Sequence, residues 1–138
     1  MKKNTRVMVD TNIIISSALF NKGGISSLLK EIVQKYEICI CDFSLKELKI
    51  AMQRKFPDRI EEADDFLNEF TYELIYVPQK IDVENMPYVR DKKDYPILAA
   101  AIAADVDALL SGDKDLLTVE IECPEIINSK GFREKYLF

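Results

Sequence analysis

The segment Arg-Val-Met-Val-Asp-Thr-Asn at residues 6–12 decides the fold, because a short apolar run there ends in Asp10. Far along the chain, Ala-Leu-Leu-Ser-Gly-Asp at residues 108–113 places Asp113 after a second run of the same kind. The carboxyl ends of parallel strands share one edge of a sheet, and ligands bind at that edge. Carboxylates that meet there repel one another unless a cation lies between them. The two segments therefore predict a parallel sheet with a cation site at its carboxyl edge.

Strand-like and helix-like patterns alternate along the rest of the chain. Apolar residues at three- and four-residue spacing predict helices, and short apolar runs bounded by turn residues predict strands. The alternation predicts an α/β fold, a three-layer α/β/α sandwich around a mainly parallel sheet of about five strands. The predicted strands cover residues 6–10, 37–41, 74–78, 108–110 and 125–127, and the predicted helices cover residues 13–17, 25–36, 44–56, 58–71 and 96–104, with a break at 21–24, a loop at 79–93 and a short basic tail at 130–135.

The composition narrows the class of protein. A chain of 138 residues with 48% hydrophobic residues fits one domain, residues 1–138, with a core that needs no disulfide. A net charge of −5 counts against non-specific binding of polyanions. Three Cys and no His count against a thiolate zinc site, and we expect Cys39 and Cys41 to share one face of a strand as buried thiols. The apolar runs are too short to span a bilayer and the first residues do not form a signal peptide, so we expect a cytoplasmic protein with no membrane partner.

Acidic residues occupy 24 of the 138 positions, so one acid at a strand end carries little weight and the prediction rests on several together. Asp94 comes directly before the apolar helix that Pro96 opens, and Asp91 competes with it. Asp113 and Asp115 follow the fourth predicted strand in Ser-Gly-Asp-Lys-Asp, where a turn would also use Gly and Asp. We favour Asp94 over Asp91, and we take Asp113 as the main ligand with Asp115 as an additional or alternative one.

Two further acids have a structural interpretation beside the functional one. Asp10 could cap the first helix, because a carboxylate at that position accepts backbone N–H bonds. Ser44 and Glu47 fit a capping box, in which the glutamate reaches back to the amide of the first helix residue. A helix that follows the second strand also faces the sheet edge that holds Asp10, so the Glu47 carboxylate is a candidate ligand too. The sequence leaves both roles of Glu47 open.

Lysines accompany most of these acids, namely Lys46, Lys49, Lys92, Lys93 and Lys114. Solvated salt bridges explain most lysines in such positions. The alternative interpretation is a basic rim that holds phosphates while the acids hold a metal ion.

Four motifs resemble those of the PIN-domain ribonucleases, and more narrowly the VapC-like toxins of toxin–antitoxin pairs, over nearly the whole chain. They are Val-Met-Val-Asp-Thr-Asn at 7–12, Ser-x-x-Glu-Leu at 44–48, Asp-x-x-Asp at 91–94 and Leu-Ser-Gly-Asp-Lys-Asp-Leu-Leu at 110–117. The resemblance implies an α/β/α sandwich, a homodimer, an RNA substrate and a cognate antitoxin. It also implies an acidic tetrad that binds Mg²⁺ or Mn²⁺, formed by Asp10, Glu47, Asp94 and Asp113 with help from Asp115. The chain departs from typical members in the many acids of residues 58–72.

The residues themselves point to the same chemistry. Carboxylate oxygens without nearby His or Cys select Mg²⁺ or Mn²⁺ over zinc. Such ions activate water for in-line attack on phosphorus, so we predict a metal-dependent endoribonuclease that hydrolyses RNA phosphodiester bonds. One alternative is a phosphoacceptor receiver domain, but it needs an acid pair at the first strand and an acceptor Asp at the end of the third, where Val77 and Pro78 stand. The other is a non-catalytic interaction module whose acids only cap helices.

Overall fold

The computed structural model describes residues 5–20 and 25–137, and the predicted break at 21–24 lies outside them. The described strands are β1 (Arg6–Val9), β2 (Glu37–Cys41), β3 (Glu73–Ile75), β4 (Ala108–Leu110) and β5 (Glu125–Ile127). The described helices are α1 (Thr11–Leu19), α2 (Ile25–Lys35), α3 (Asp42–Lys55), α4 (Ile60–Asn68), α5 (Tyr95–Ala103), α6 (Lys114–Leu117) and α7 (Ser129–Tyr136).

The five strands form one sheet in the order β3-β2-β1-β4-β5, and every neighbouring pair is parallel. Because all strands run in the same direction, their carboxyl ends lie at one edge of the sheet and their amino ends at the other. This confirms the predicted α/β class and the predicted parallel sheet.

Each face of the sheet is covered by helices, because side chains alternate between the two faces along a strand. In β1, Val7 and Val9 pack on the face covered by α1 to α4 and by Phe132 of α7. Met8, between them, packs on the opposite face against α5. Cys39 and Cys41 of β2 are buried on that second face, as their spacing predicts. The result is the predicted three-layer α/β/α sandwich.

Two predicted elements end differently in the structure. The third strand ends at Ile75 rather than continuing to residue 78, because the amide of Val77 donates to Asp42 Oδ1 at 2.9 Å instead of to a strand. The residues predicted as a basic tail form α7, which Asn128 caps by accepting a bond from the Gly131 amide at 2.8 Å. Phe132 of this helix is fully buried, and its burial holds α7 against the sheet.

In the described ranges, no helix is both long enough and apolar enough to cross a lipid bilayer.

Candidate metal centre at the carboxyl edge

The carboxyl ends of the central strands open into a cleft of about 520 Å³. The acids that line it come from four separate parts of the chain, and they are Asp10, Glu47, Asp91, Asp94 and Asp113. The structure therefore places all four residues of the predicted tetrad in one cleft. Asp115 does not line this cleft and lies beside it.

Asp10 directly follows β1 and is the N-cap residue of α1. Its backbone amide donates to the carbonyl of Leu110 at 3.0 Å, so the β1–β4 ladder fixes its position. Its Oδ1 accepts from the Thr11 amide at 2.7 Å, and its Oδ2 accepts from the Ser111 hydroxyl at 2.8 Å. Burial raises the pKa of Asp10, the two hydrogen bonds oppose that rise, and the charge of Asp113 adds to it. Asp10 thus caps its helix and also lines the cleft.

Glu47 does not act in a capping box, and that interpretation was wrong. Helix α3 begins at Asp42 after Cys41, so Ser44 lies inside the helix and Glu47 lies in its second turn. The Glu47 carboxylate instead accepts a hydrogen bond from the Thr11 hydroxyl at 3.1 Å. Burial raises the pKa of Glu47, the bond from Thr11 lowers it, and the charge of Asp10 raises it again. These contacts direct Glu47 towards Asp10 across the cleft.

Asp94 occupies the N-cap position of α5 but makes no capping hydrogen bond. Its Oδ2 atom is buried and has no hydrogen-bond partner among the described residues. Burial raises the pKa of Asp94 to about 7, and the neighbouring Asp113, Asp91 and Asp10 contribute to the rise. Because an unpaired buried oxygen is costly, Asp94 needs a proton or a cation beside it.

Asp113 and Ser111 connect the end of β4 to the rest of the cleft. The Asp113 amide donates to the Ser111 hydroxyl oxygen at 3.0 Å, and Asp113 Oδ1 accepts from the Asp115 amide at 2.8 Å. Ser111 is fully buried, so its hydroxyl joins Asp10 and Asp113 inside the protein. The Ser111 hydroxyl therefore bonds both the carboxylate of Asp10 and the backbone amide of Asp113.

Asp115 is engaged by Arg90. Two hydrogen bonds of 2.7 Å join the Arg90 guanidinium to the two Asp115 oxygens, and they lower the pKa of Asp115. A carboxylate oxygen from each of Asp91, Asp94 and Asp115 lies within 4.8 Å of the others. Asp91, which the sequence argument set aside in favour of Asp94, therefore lies beside it and belongs to the same acidic surface.

The residues that orient the acids were not identified from the sequence. Thr11 and Ser111 look like ordinary helix-start and turn residues when they are taken alone. The strand register contains the missing signal, because Val9 pairs with Leu110 and the next two residues, Asp10 and Ser111, must then be neighbours. The order of the strands is needed to use that signal.

The donor set fits a hard divalent cation. Within the described ranges, no lysine or arginine nitrogen lies within 4.0 Å of a carboxylate oxygen of Asp10, Glu47, Asp94 or Asp113. The carboxylate and hydroxyl groups of the cleft offer oxygen ligands, and the chain contains no His. Mg²⁺ and Mn²⁺ prefer such oxygens, and the unpaired Oδ2 of Asp94 is the atom that a cation would satisfy.

The protein is therefore a parallel α/β/α sandwich with a cluster of carboxylates at the carboxyl edge of its sheet. The family model of the PIN domain matches residues 6–115, so the chain belongs to the PIN-domain family. The fold is similar to that of VapBC2 from Rickettsia felis, solved bound to a DNA fragment from its promoter, with a TM-score of 0.70, 19% sequence identity, and coverage of 90% of this chain and 98% of that one. It is also similar to PAE2754 from Pyrobaculum aerophilum, with a TM-score of 0.61, 13% identity, and coverage of 91% and 85%. No curated protein matches the sequence.

Proposed function

We propose that this PIN domain is a metal-dependent endoribonuclease that hydrolyses RNA phosphodiester bonds. The observation that carries the proposal is the buried Oδ2 of Asp94, which accepts from no described residue and lies in a cleft shared with Asp10, Glu47 and Asp113. A protein whose acids served only as helix caps would have no reason to leave this oxygen unsatisfied. Membership of the PIN-domain family supports RNA as the substrate.

In this proposal the acids Asp10, Asp94 and Asp113 would hold Mg²⁺ or Mn²⁺, with Glu47 as a further ligand. Asp115 would have to release Arg90 to join them, because both of its oxygens are bonded to that arginine. When bound, such an ion lowers the pKa of water and offsets the negative charge that builds on the phosphate during in-line displacement. Ser111 and Thr11 orient Asp10 and Glu47 through their hydroxyl groups, so the ligands do not have to reorganise. Asp94 has a pKa of about 7 without a cation, so it gives up its proton when it becomes a ligand.

We also propose that the enzyme is the toxin of a toxin–antitoxin pair, with a cognate antitoxin protein as its partner. The structural similarity to VapBC2 supports this role. A homodimer is a further prediction, which sedimentation of the purified chain will test. Growth arrest on expression of the active chain, and relief of that arrest in the Asp10→Asn variant, is the expected result for a toxin.

Cleavage of RNA by the purified chain tests the proposed activity. We expect cleavage in the presence of Mn²⁺, loss of cleavage with EDTA, and a loss of at least roughly 100-fold in Asp10→Asn and in Asp94→Asn. Asp64→Asn is the matched control, because Asp64 is an exposed acid of α4 outside the cleft. Cleavage that persists in both cleft variants, or that is lost equally in the control, would contradict the assignment.

The two alternatives have less support from the structure. A receiver domain needs an acceptor acid after the third strand, and β3 is followed by Tyr76, Val77 and Pro78. A non-catalytic module would gain no thermal stability from Mn²⁺, whereas an occupied site stabilises the protein by mass action.

A further inference from the structure

One face of helix α3 forms a wall of the acidic cleft. Phe43, Lys46, Ile50 and Arg54 follow one another at intervals of three and four residues, and all four line the cleft. Residues at this spacing lie above one another on the same side of a helix. We call these four residues the α3 stripe. Its order is aromatic, cationic, apolar and cationic, and it extends away from the acids along the helix.

The cations of the stripe have no acidic partner in the part of the chain that the structure describes. Lys46 and Arg54 are exposed, and within the described ranges neither forms an ion pair. The chain has five arginines, and the other four, Arg6, Arg59, Arg90 and Arg133, are each paired with a carboxylate. In a chain with a net charge of −5, an unpaired arginine in a cleft is a binding group for an anion.

The apolar residues of the stripe indicate which class of anionic ligand it fits. Ile50 lies one turn from each cation, and 56% of its surface is exposed, which is more than for Ile102 at 37%, the other exposed isoleucine of the described residues. Phe43 is partly buried and borders the cleft near the acids. Single-stranded nucleic acid offers phosphates and flat apolar bases at short intervals, so it matches a stripe of alternating cationic and apolar groups. An acidic peptide would match only the cations.

The opposite side of the same helix does not offer this surface. Lys49 lines a separate apolar groove between α3 and α4, together with Leu48, Met52 and the acid Asp64. Helix α4 carries further acids, Glu61, Glu62 and Asp65. A strand of phosphates is repelled by that side of α3 and attracted by the stripe, so the charge distribution selects one path along the helix.

We propose that the α3 stripe binds single-stranded RNA and leads the strand to the acids at the carboxyl edge. Lys46 and Arg54 bind phosphates, and Ile50 and Phe43 contact bases. The proposal rests on the proposed ribonuclease function, because it names the path of that enzyme's substrate. It assigns Arg54, which no sequence motif singled out, to substrate binding.

RNA binding by full-length Asp10→Asn protein tests the path, because this variant separates binding from cleavage. The probe is a fluorescein-labelled oligouridylate in the presence of Mg²⁺, and the readouts are anisotropy and its dependence on salt. We expect Lys46→Gln and Arg54→Gln each to weaken binding by roughly 3- to 10-fold and to reduce the slope of log K against log salt by about 0.7. Lys49→Gln is the matched control, since it removes the same charge from the other side of α3, and we expect it to change neither quantity.

The remaining outcomes overturn the path. Equal losses in all three variants would show a response to total charge, and unchanged binding in Lys46→Gln and Arg54→Gln, or no binding of the probe at all, would show that the stripe does not hold RNA. A polyglutamate peptide that binds as tightly as the RNA and depends on Arg54 would assign the stripe to an acidic protein instead. Circular dichroism of each variant checks that it is folded. If the parent chain fails to cleave RNA but binding still depends on Lys46 and Arg54, the nuclease proposal fails and the binding surface stands.

Discussion

The acids at the two edges of the sheet differ in the groups that they contact. At the amino edge, Glu73 begins β3 and accepts hydrogen bonds from the Arg6 guanidinium at 2.9 to 3.1 Å. Asp107, just before β4, accepts from the Arg6 amide at 2.8 Å, and Glu125 at the start of β5 is paired with Lys135 at 2.9 Å. Glu73 and Glu125 are therefore each paired with a cationic side chain, and Asp107 is held by a backbone amide.

At the carboxyl edge, the four acids of the tetrad form no ion pair within the described residues, although lysines line the same cleft. Asp10 and Glu47 accept from Ser111 and Thr11, and the Oδ2 of Asp94 accepts from none of the described residues. Acids of the same sheet are therefore tied to other parts of the chain at one edge and gathered in an open cleft at the other. This difference is what the proposed cation at the carboxyl edge would explain.

The largest expected effect is stabilisation by a divalent ion at the carboxyl edge alone. We expect Mn²⁺ at about one hundred times its Kd to raise the free energy of unfolding by about 2.7 kcal/mol, seen as a higher melting temperature. Asp94→Asn should abolish this rise, and Glu73→Gln at the amino edge should retain it. A rise of the same size in both variants would mean that the ion binds elsewhere.

The next effect concerns the hydroxyl that joins two ligands. Ser111→Ala removes the bond to Asp10 Oδ2 and the acceptor for the Asp113 amide, so both acids lose their orientation. We expect the affinity for Mn²⁺, measured by calorimetry, to fall roughly 10- to 100-fold. Ser129→Ala in α7 serves as the control, and an unchanged affinity in Ser111→Ala would show that the acids keep their positions without it.

At the amino edge we expect an effect on stability and none on metal binding. Arg6→Met removes the pair with Glu73 and the bond to the Ala104 carbonyl, which has a length of 2.6 Å. The free energy of unfolding in urea should fall by about 1 to 2 kcal/mol, with a smaller loss at high salt because Glu73 is exposed. A weaker affinity for Mn²⁺ in this variant would contradict the separation of the two edges.

The smallest expected effect is a pH dependence of the metal-free protein. The pKa of Asp94 is raised to about 7 in the folded chain from 3.8, so between these values the folded state binds more protons than the unfolded state. The contribution of Asp94 to stability therefore falls as pH rises from about 4 to about 7 and is constant above that range. Urea unfolding of the wild type and of Asp94→Asn, with EDTA present, should show a difference that grows across this interval. A difference that does not change with pH would show that burial and the neighbouring acids do not raise the pKa of Asp94.

Much of the fold and of the cleft could be predicted because the signals are local. Asp10 and Asp113 each follow a buried apolar run, and parallel strands bring such positions to one edge. The capping-box interpretation of Glu47 failed because the helix begins at Asp42, two residues before Ser44. Helix boundaries depend on tertiary contacts, here the bond from Val77 to Asp42, which the sequence does not display.

Other features required the assembled structure. The sequence of α7 is mostly polar, and Phe132 is the buried residue that anchors this helix among charged neighbours. The choice between Asp91 and Asp94 was posed as one or the other, although the turn between them brings both carboxylates to the same surface. Arg54 could not be singled out, because its lack of a partner is visible only when all the ion pairs are known.

The bond from the Asp10 amide to the Leu110 carbonyl makes the backbone at Asp10 more resistant to local opening than the backbone at Asp91 and Asp94. Amides inside a central sheet exchange their hydrogen with solvent only when the whole domain unfolds, and those of short turns exchange through small local openings. Asp10 belongs to the first kind, and Asp91 and Asp94 lie in a 3₁₀ turn that borders an exposed loop. If the proposed ion binds, we therefore expect its entry and exit to involve the turn rather than the strand that holds Asp10.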